Sequence, residues 1–205
     1  MIPILFEHAD FLVCVKPVGM DAENALPQAL SVQTHARIYP VHRLDLNVGG
    51  VMVYAKTPES ARRLSALVQS GDMQKEYIAM CHGVPEPSGD MYDLLFKDTR
   101  KNKVFVVKRM RQGVREARLH YETLSVLDSN TSLVRIRLYT GRSHQIRVQF
   151  ASRGFPLLGD HKYGARDSLH EPRLFSCALR FPWKGVQMAF TAWPDWAEGE
   201  GISLE

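Results

Sequence analysis

Long apolar runs are missing from this sequence. No stretch approaches the ~20 residues that cross a bilayer as a helix. The N-terminal MIPILFEHAD has no basic segment ahead of its apolar residues and soon meets acids, which excludes a secretory signal. No membrane partner is therefore expected. Cysteine is scarce: Cys14, Cys81 and Cys177 are odd in number and far apart. They suit neither a disulfide framework nor a zinc knuckle and fit a reducing cytoplasm, the expected location. Internal repeats, low-complexity segments and linkers are absent too, so residues 1–205 are expected to form a single domain. No metal-ligand spacing of the His-Glu-x-x-His kind occurs. His42, Asp45, His144, Asp160 and His161 lie among arginines that would repel a cation. The expectation is no metal and no cofactor.

What is present is the composition of an ordinary globule, 45% hydrophobic and 23% charged. The formal charge is only +4, but it is unevenly placed. Between Arg100 and Arg118 the chain carries +7, so the remainder carries −3. Lys108, Arg109, Arg111 and Arg115 sit at the centre of that segment. A localised single-sign cluster is the electrostatic footprint of polyanion binding. A solvated basic hairpin is the alternative.

Along the chain, residues 3–7 and 11–16 read as short strands ending in a Pro/Gly turn. Residues 27–36 read as a short helix with Leu26 and Leu30 inward. Thr57-Pro58 is a helix start and Gly71 a helix stop. Between them Ala61, Leu64, Leu67 and Val68 recur at helical spacing, with Arg62 and Arg63 outside. Residues 73–80 read as a strand and 82–99 as loop. Residues 103–108 and 116–126 read as two strands joined by a basic turn around Gly113. Residues 132–138 alternate cleanly as another strand.

Tyr39 to Gly50, YPVHRLDLNVGG, concentrates polar chemistry between extended segments. His42, Arg43 and Asp45 fall on a loop, where a scaffold can hold catalytic groups. Arg43 and Asp45 lie two apart, which puts them on one side of an extended chain. A carboxylate beside a cation stays ionised, as a nucleophile must. Gly49 and Gly50 permit close backbone approach or positive φ. A surface loop with a salt bridge would show the same residues.

Four stretches together resemble the RluA-type RNA pseudouridine synthases. His42-Arg43-Leu44-Asp45 with Gly50 is similar to the family's HRLD, two variable residues, then Thr-Ser-Gly; here Val48-Gly49 replaces Thr-Ser. Lys75-Glu76-Tyr77 matches a Lys-x-Tyr motif. Gly141-Arg142-Ser143-His144-Gln145-Ile146-Arg147-Val148 matches a third. Gly154-Phe155-Pro156-Leu157-Leu158-Gly159-Asp160 with Tyr163-Gly164 matches a fourth. The resemblance runs from about residue 10 to about 195. Near its end the family's Leu-Leu-His-Ala is replaced around Ser176-Cys177.

The resemblance implies an α+β fold, the pseudouridine synthase fold. It has a mixed, mostly antiparallel central sheet with flanking helices and a central active-site cleft. There the HRLD loop and residues 141–148 would meet. It implies an RNA pseudouridine synthase that flips a uridine of transfer or ribosomal RNA and isomerises it without redox change. Asp45 would be the nucleophile, at C1′ or at the uracil ring. Arg147 would be its cation, and Tyr77 would stack on the base and help move a proton. Arg43 would fill the gap left by the extruded base, beside His42, and Arg142 would serve structure or phosphate. The match begins within the first twenty residues, so the extra N-terminal RNA-binding domain that some relatives carry is not expected and the expected substrate is a local stem-loop; the chain is expected to be a monomer. A non-catalytic RNA-binding protein of the same fold is the alternative. It would not need Asp45 and Arg147 together.

Overall fold

The computed structural model describes residues 1–128 and 130–197. They fall into two compact units, one of Met1–Lys75 and Phe175–Ala197, the other containing Glu76–Leu174. The first half of the chain forms β1 (Ile4–Glu7), β2 (Phe11–Lys16), α1 (Ala25–Thr34), β3 (Tyr39–Pro40), β4 (Gly49–Ala55) and α2 (Pro58–Ser70). There follow β5 (Gln74–His82), β6 (Ser88–Asp98), β7 (Lys103–Val107), β8 (Val114–Asp128) and β9 (Thr131–Leu138). The last elements are α3 (Gln145–Ser152), β10 (Leu174–Trp183) and β11 (Val186–Thr191). The class is α+β, and the strand pairing is mixed but mostly antiparallel, as the resemblance implies.

In the first unit the strand order is β1-β2-β4-β10-β11. β4 is buried at every position, so its sequence is a continuous apolar run rather than an alternation. Val51, Val53 and Ala55 pack with Phe11, Val13 and Leu64 of α2. On the other face the Tyr54 hydroxyl donates to the Ala22 carbonyl at 2.7 Å, just ahead of α1. There Leu26 and Leu30 are fully buried, as their spacing predicts. α2 begins and ends where the sequence places it. The Thr57 hydroxyl accepts from the Ser60 N–H in a capping box, and Gly71 closes the helix in the left-handed region. Arg63, on the outer face, lies 4.9 Å over the Trp183 ring.

The edge of β4 away from β2 is shared. β3 takes Tyr54 and Ala55, and β10 runs parallel beside Gly49 and Gly50. Gly50 has φ +131°, and a methyl group there would overlap the Ser176 backbone. Only glycine permits this approach. It ends the HRLD loop and fixes where β4 starts.

The second unit orders its strands β5-β9-β8-β6-β7. α3 covers one face, where Val148 packs with Leu95, Val104 and Ala117. Phe150 meets Tyr121 edge-on at 5.5 Å. Three features differ from the sequence reading. Residues 88–98, read as loop, form an eleven-residue strand. β7 and β8 do not pair across their basic turn: each is antiparallel to β6, which lies between them. The basic segment is therefore a crossover spanning one strand. Finally, part of the 141–148 stretch is helical, starting from His144 at φ 50°.

Candidate active site

The loop between β3 and β4 carries His42, Arg43 and Asp45, and Lys16 holds it. The Lys16 side chain is fully buried at the end of β2. Its ammonium donates to the carbonyls of Pro17 at 3.0 Å, Leu46 at 3.1 Å and Val48 at 2.8 Å. The Gly19 N–H donates to Leu46 as well, at 2.9 Å. The Val48 N–H closes a turn onto the Asp45 carbonyl at 3.0 Å. Leu44 and Val48 are buried while Asp45 between them is half-buried. Lys16 thus fixes the backbone that carries the aspartate.

His42 and Arg43 diverge. His42 Nε2 accepts the Val53 N–H at 3.2 Å, which ties the ring to the backbone of β4. Burial, with the nearby Lys75 charge, pushes its pKa well below the ordinary histidine value, so the ring is neutral. Arg43 is exposed and reaches Glu23 at 2.9 Å. Burial also lowers the Lys75 ammonium, to about 8.

In the second unit, Tyr77 is buried on β5. Arg147 lies in the first turn of α3, 7% exposed. Its Nε donates to Asp160 Oδ2 at 2.7 Å and its Nη2 to Asp160 Oδ1 at 2.8 Å, a bidentate fork. Asp160 is 1% exposed. The fork uses two of the five guanidinium donors. The Tyr163 ring stands 5.2 Å from the guanidinium carbon. Tyr163 is fixed in turn, since its hydroxyl accepts the Val104 N–H at 2.9 Å and pairs with His144 Nδ1 at 2.8 Å. Gln145 pins the start of the helix. Its carbonyl oxygen accepts from the Thr140 hydroxyl and the Arg142 N–H, and its amide donates to Arg118. Arg142 is exposed and donates through Nε to the Glu116 carbonyl at 2.9 Å. Lys108, Arg109, Arg111 and Arg115 are all exposed around the crossover.

With these parts in place, comparison with known proteins decides the family. Residues 10–152 match the family model of RNA pseudouridylate synthase. The chain is 32% identical to the dual-specificity RNA pseudouridine synthase RluA of Escherichia coli, over 92% of this chain and 91% of that protein. The chain belongs to the RluA-type RNA pseudouridine synthase family. That family comprises isomerases acting on RNA. Identity is also 32% to ribosomal large subunit pseudouridine synthase D of Zymomonas mobilis, over 86% of this chain but only 60% of that relative's length. The human RNA pseudouridylate synthase domain containing 1 shares the fold. It has a TM-score of 0.81 at 22% identity, over 95% of this chain and 84% of that one.

Family membership gives the surrounding residues a meaning that the sequence reading missed. Lys16 is visible in the sequence only as part of a turn, yet it is the strut of the HRLD loop. Asp160 and Tyr163 stand in the fourth motif without a role, yet they clamp Arg147. The signal is their place in a motif shared with the family. What it lacks is the fold, which brings residue 160 back against residue 147. Val48, the departure from Thr-Ser-Gly, fills the apolar wall of its loop and leaves its carbonyl to Lys16. Among the described residues no cluster of three or more metal-ligating side chains occurs, and no helix is long and apolar enough to cross a membrane.

Proposed function

We propose that this chain isomerises a specific uridine of transfer or ribosomal RNA to pseudouridine, with Asp45 as nucleophile. The observation that carries the proposal is the Lys16 strut. A buried ammonium that donates to the neighbouring Pro17 carbonyl and to two carbonyls of the HRLD loop fixes the backbone that carries the half-buried Asp45. Binding alone gains little from such rigidity; nucleophilic attack depends on it. For the same reason a non-catalytic RNA-binding protein is the weaker reading.

In this mechanism the uridine is extruded from its stack, at a cost of a few kcal/mol. Arg43, exposed and paired with Glu23 at the surface, swings to stack where the base stood. His42, its Nε2 bonded to the Val53 N–H, stands beside Arg43 as a further RNA-contacting residue of this loop. Tyr77 packs on the uracil. Asp45 forms a bond either to C1′ or to the uracil ring, the N1–C1′ bond breaks, the base turns and C5 joins C1′; the bond to Asp45 then breaks to return the carboxylate, C5 loses its proton and N1 takes one up. Arg147, its plane set by Asp160 and Tyr163, is the cation proposed to serve the nucleophile. Tyr77 assists loss of the C5 proton. Arg142, Lys108, Arg109, Arg111 and Arg115 take phosphates. The chain works as one catalytic domain, a monomer in the cytoplasm, on a structured stem-loop.

The test is a comparison of pseudouridine maps of cellular transfer and ribosomal RNA with and without the gene. The proposal expects at least one uridine whose modification disappears with the gene and returns with the wild-type protein. Identical maps would contradict it.

A further inference from the structure

α3 covers one face of the β6–β8–β9 sheet; the other is open. Along β8 the side chains of Glu116, Arg118, His120 and Glu122 point to that open face, while Ala117 and Leu119 point to the core. Strand register puts Tyr92 of β6 directly opposite Arg118. On the other side Tyr139, just past β9, donates its N–H to the Arg118 carbonyl at 3.1 Å. Tyr92, Arg118 and Tyr139 therefore form a row across the sheet, the backbones of the two tyrosines about 10 Å apart at two strand spacings. Tyr92 is 55% exposed and Tyr139 50%. Arg118 lies 6.0 Å over the Tyr92 ring and Arg137 lies 5.9 Å over the Tyr139 ring.

The pattern continues towards β7. Phe105, 37% exposed, pairs with Phe96, and Arg111 stacks 4.8 Å above Phe96. Arg142 joins the face through its bond to the Glu116 backbone. Three acids share it: Asp90 is occupied by His120 at 3.1 Å, while Glu116 and Glu122 lie along β8. Arg111, Arg118, Arg137 and Arg142 are all exposed, so cations still dominate. An open sheet whose exposed rings each carry a cation, an arginine at Tyr92 and Tyr139 and Lys103 at Phe105, offers unpaired bases a stacking surface and their phosphates a charge. A merely solvated face has no need of large exposed aromatics in register.

We propose that this open face is a docking platform for an unpaired segment of the RNA substrate. Tyr92 and Tyr139 stack on bases, and Arg118, Arg137 and Arg142 take phosphates. The proposal rests on the reading of the chain as an RNA-modifying enzyme. It adds four residues, Tyr92, Tyr139, Arg118 and Arg137, that no motif of the sequence singled out.

The test measures binding of a fluorescent single-stranded RNA of about ten nucleotides to the full chain. The variants are Tyr92→Ala/Tyr139→Ala and Tyr92→Phe/Tyr139→Phe. Loss of stacking weakens binding by about fivefold to a hundredfold per base. The alanine pair should therefore lose at least about tenfold, and the phenylalanine pair should stay close to wild type. A duplex of the same length, with its bases already stacked, should bind the wild type and the alanine pair equally. Unchanged single-strand affinity in the alanine pair would overturn the platform, as would an equal loss for duplex. Pseudouridine formation by the wild type is scored separately on total RNA. Turnover without platform binding would sink the platform alone. Single-strand binding without any turnover would sink the activity and leave the platform standing.

Discussion

Arg147 and Asp160 form a buried ion pair in which each partner is satisfied by the other's geometry. The pair is costly to break. Removing one member of a buried pair leaves an uncompensated charge and costs about 3–5 kcal/mol. Asp160→Asn keeps the shape but removes the Asp160 charge from Arg147 and sets an amide N–H against one of its donors. It should lower stability by several kcal/mol and reduce turnover by at least about tenfold, read by urea unfolding and single-turnover assay. Stability and rate both at the wild-type level would show that Asp160 does not position Arg147. Lys75 has the opposite character. Burial lowers its pKa to about 8 in the folded chain, against roughly 10.4 when unfolded. The charged form is thus disfavoured by folding. The cost is full below about pH 8 and fades as pH rises through about 10. Lys75→Met should raise the melting temperature at pH 7, and the gain should vanish near pH 10. A gain that persists there would locate its origin elsewhere.

At the scale of elements, legibility follows the locality of the cause. α2 is readable because its start, its stripe and its stop all lie within fifteen residues of sequence. Thr57, Leu64 and Gly71 act on their own neighbourhood. β2 and β4 are readable as apolar runs. β6 is not: Pro85 and Pro87 precede it and Gly89 sits near its start, so turn signals mask the alternation from Met91 onward. α3 hides for another reason. Gln145 through Phe150 are all buried, so no polar face marks it as a helix. A β7/β8 hairpin is the natural reading of two strands around a glycine, but β6 is long enough to pair along both edges and takes the place between them. Lys16 and Asp160 are illegible as supports because each acts on a residue brought near only by the fold. Gly50 is legible, and it gives a sharp test. Gly50→Ala forces a side chain into the Ser176 backbone at a positive φ. Strain of about 1–3 kcal/mol from the dihedral alone, plus the overlap, should lower the melting temperature markedly. An unshifted melt would mean that β4 and β10 do not approach as described.

Over the whole molecule, charge is concentrated rather than abundant. The +7 of residues 100–118 sits on a crossover whose arginines and lysines face solvent. If these groups bind phosphates, removing one such cation lowers the salt slope of binding by roughly 0.7–0.9. Reversing Lys108, Arg109, Arg111 and Arg115 together should weaken RNA binding and flatten that slope, measured by titration across salt concentrations. An unchanged slope would make the crossover a solvated surface. The proposed chemistry, by contrast, rests on one side chain, Asp45. The most direct measurement is pseudouridine formation by Asp45→Asn, beside RNA affinity and a thermal melt on the same preparation. The account predicts a folded protein that binds RNA like the wild type and forms no pseudouridine. Turnover by a folded Asp45→Asn preparation free of wild-type enzyme would contradict it.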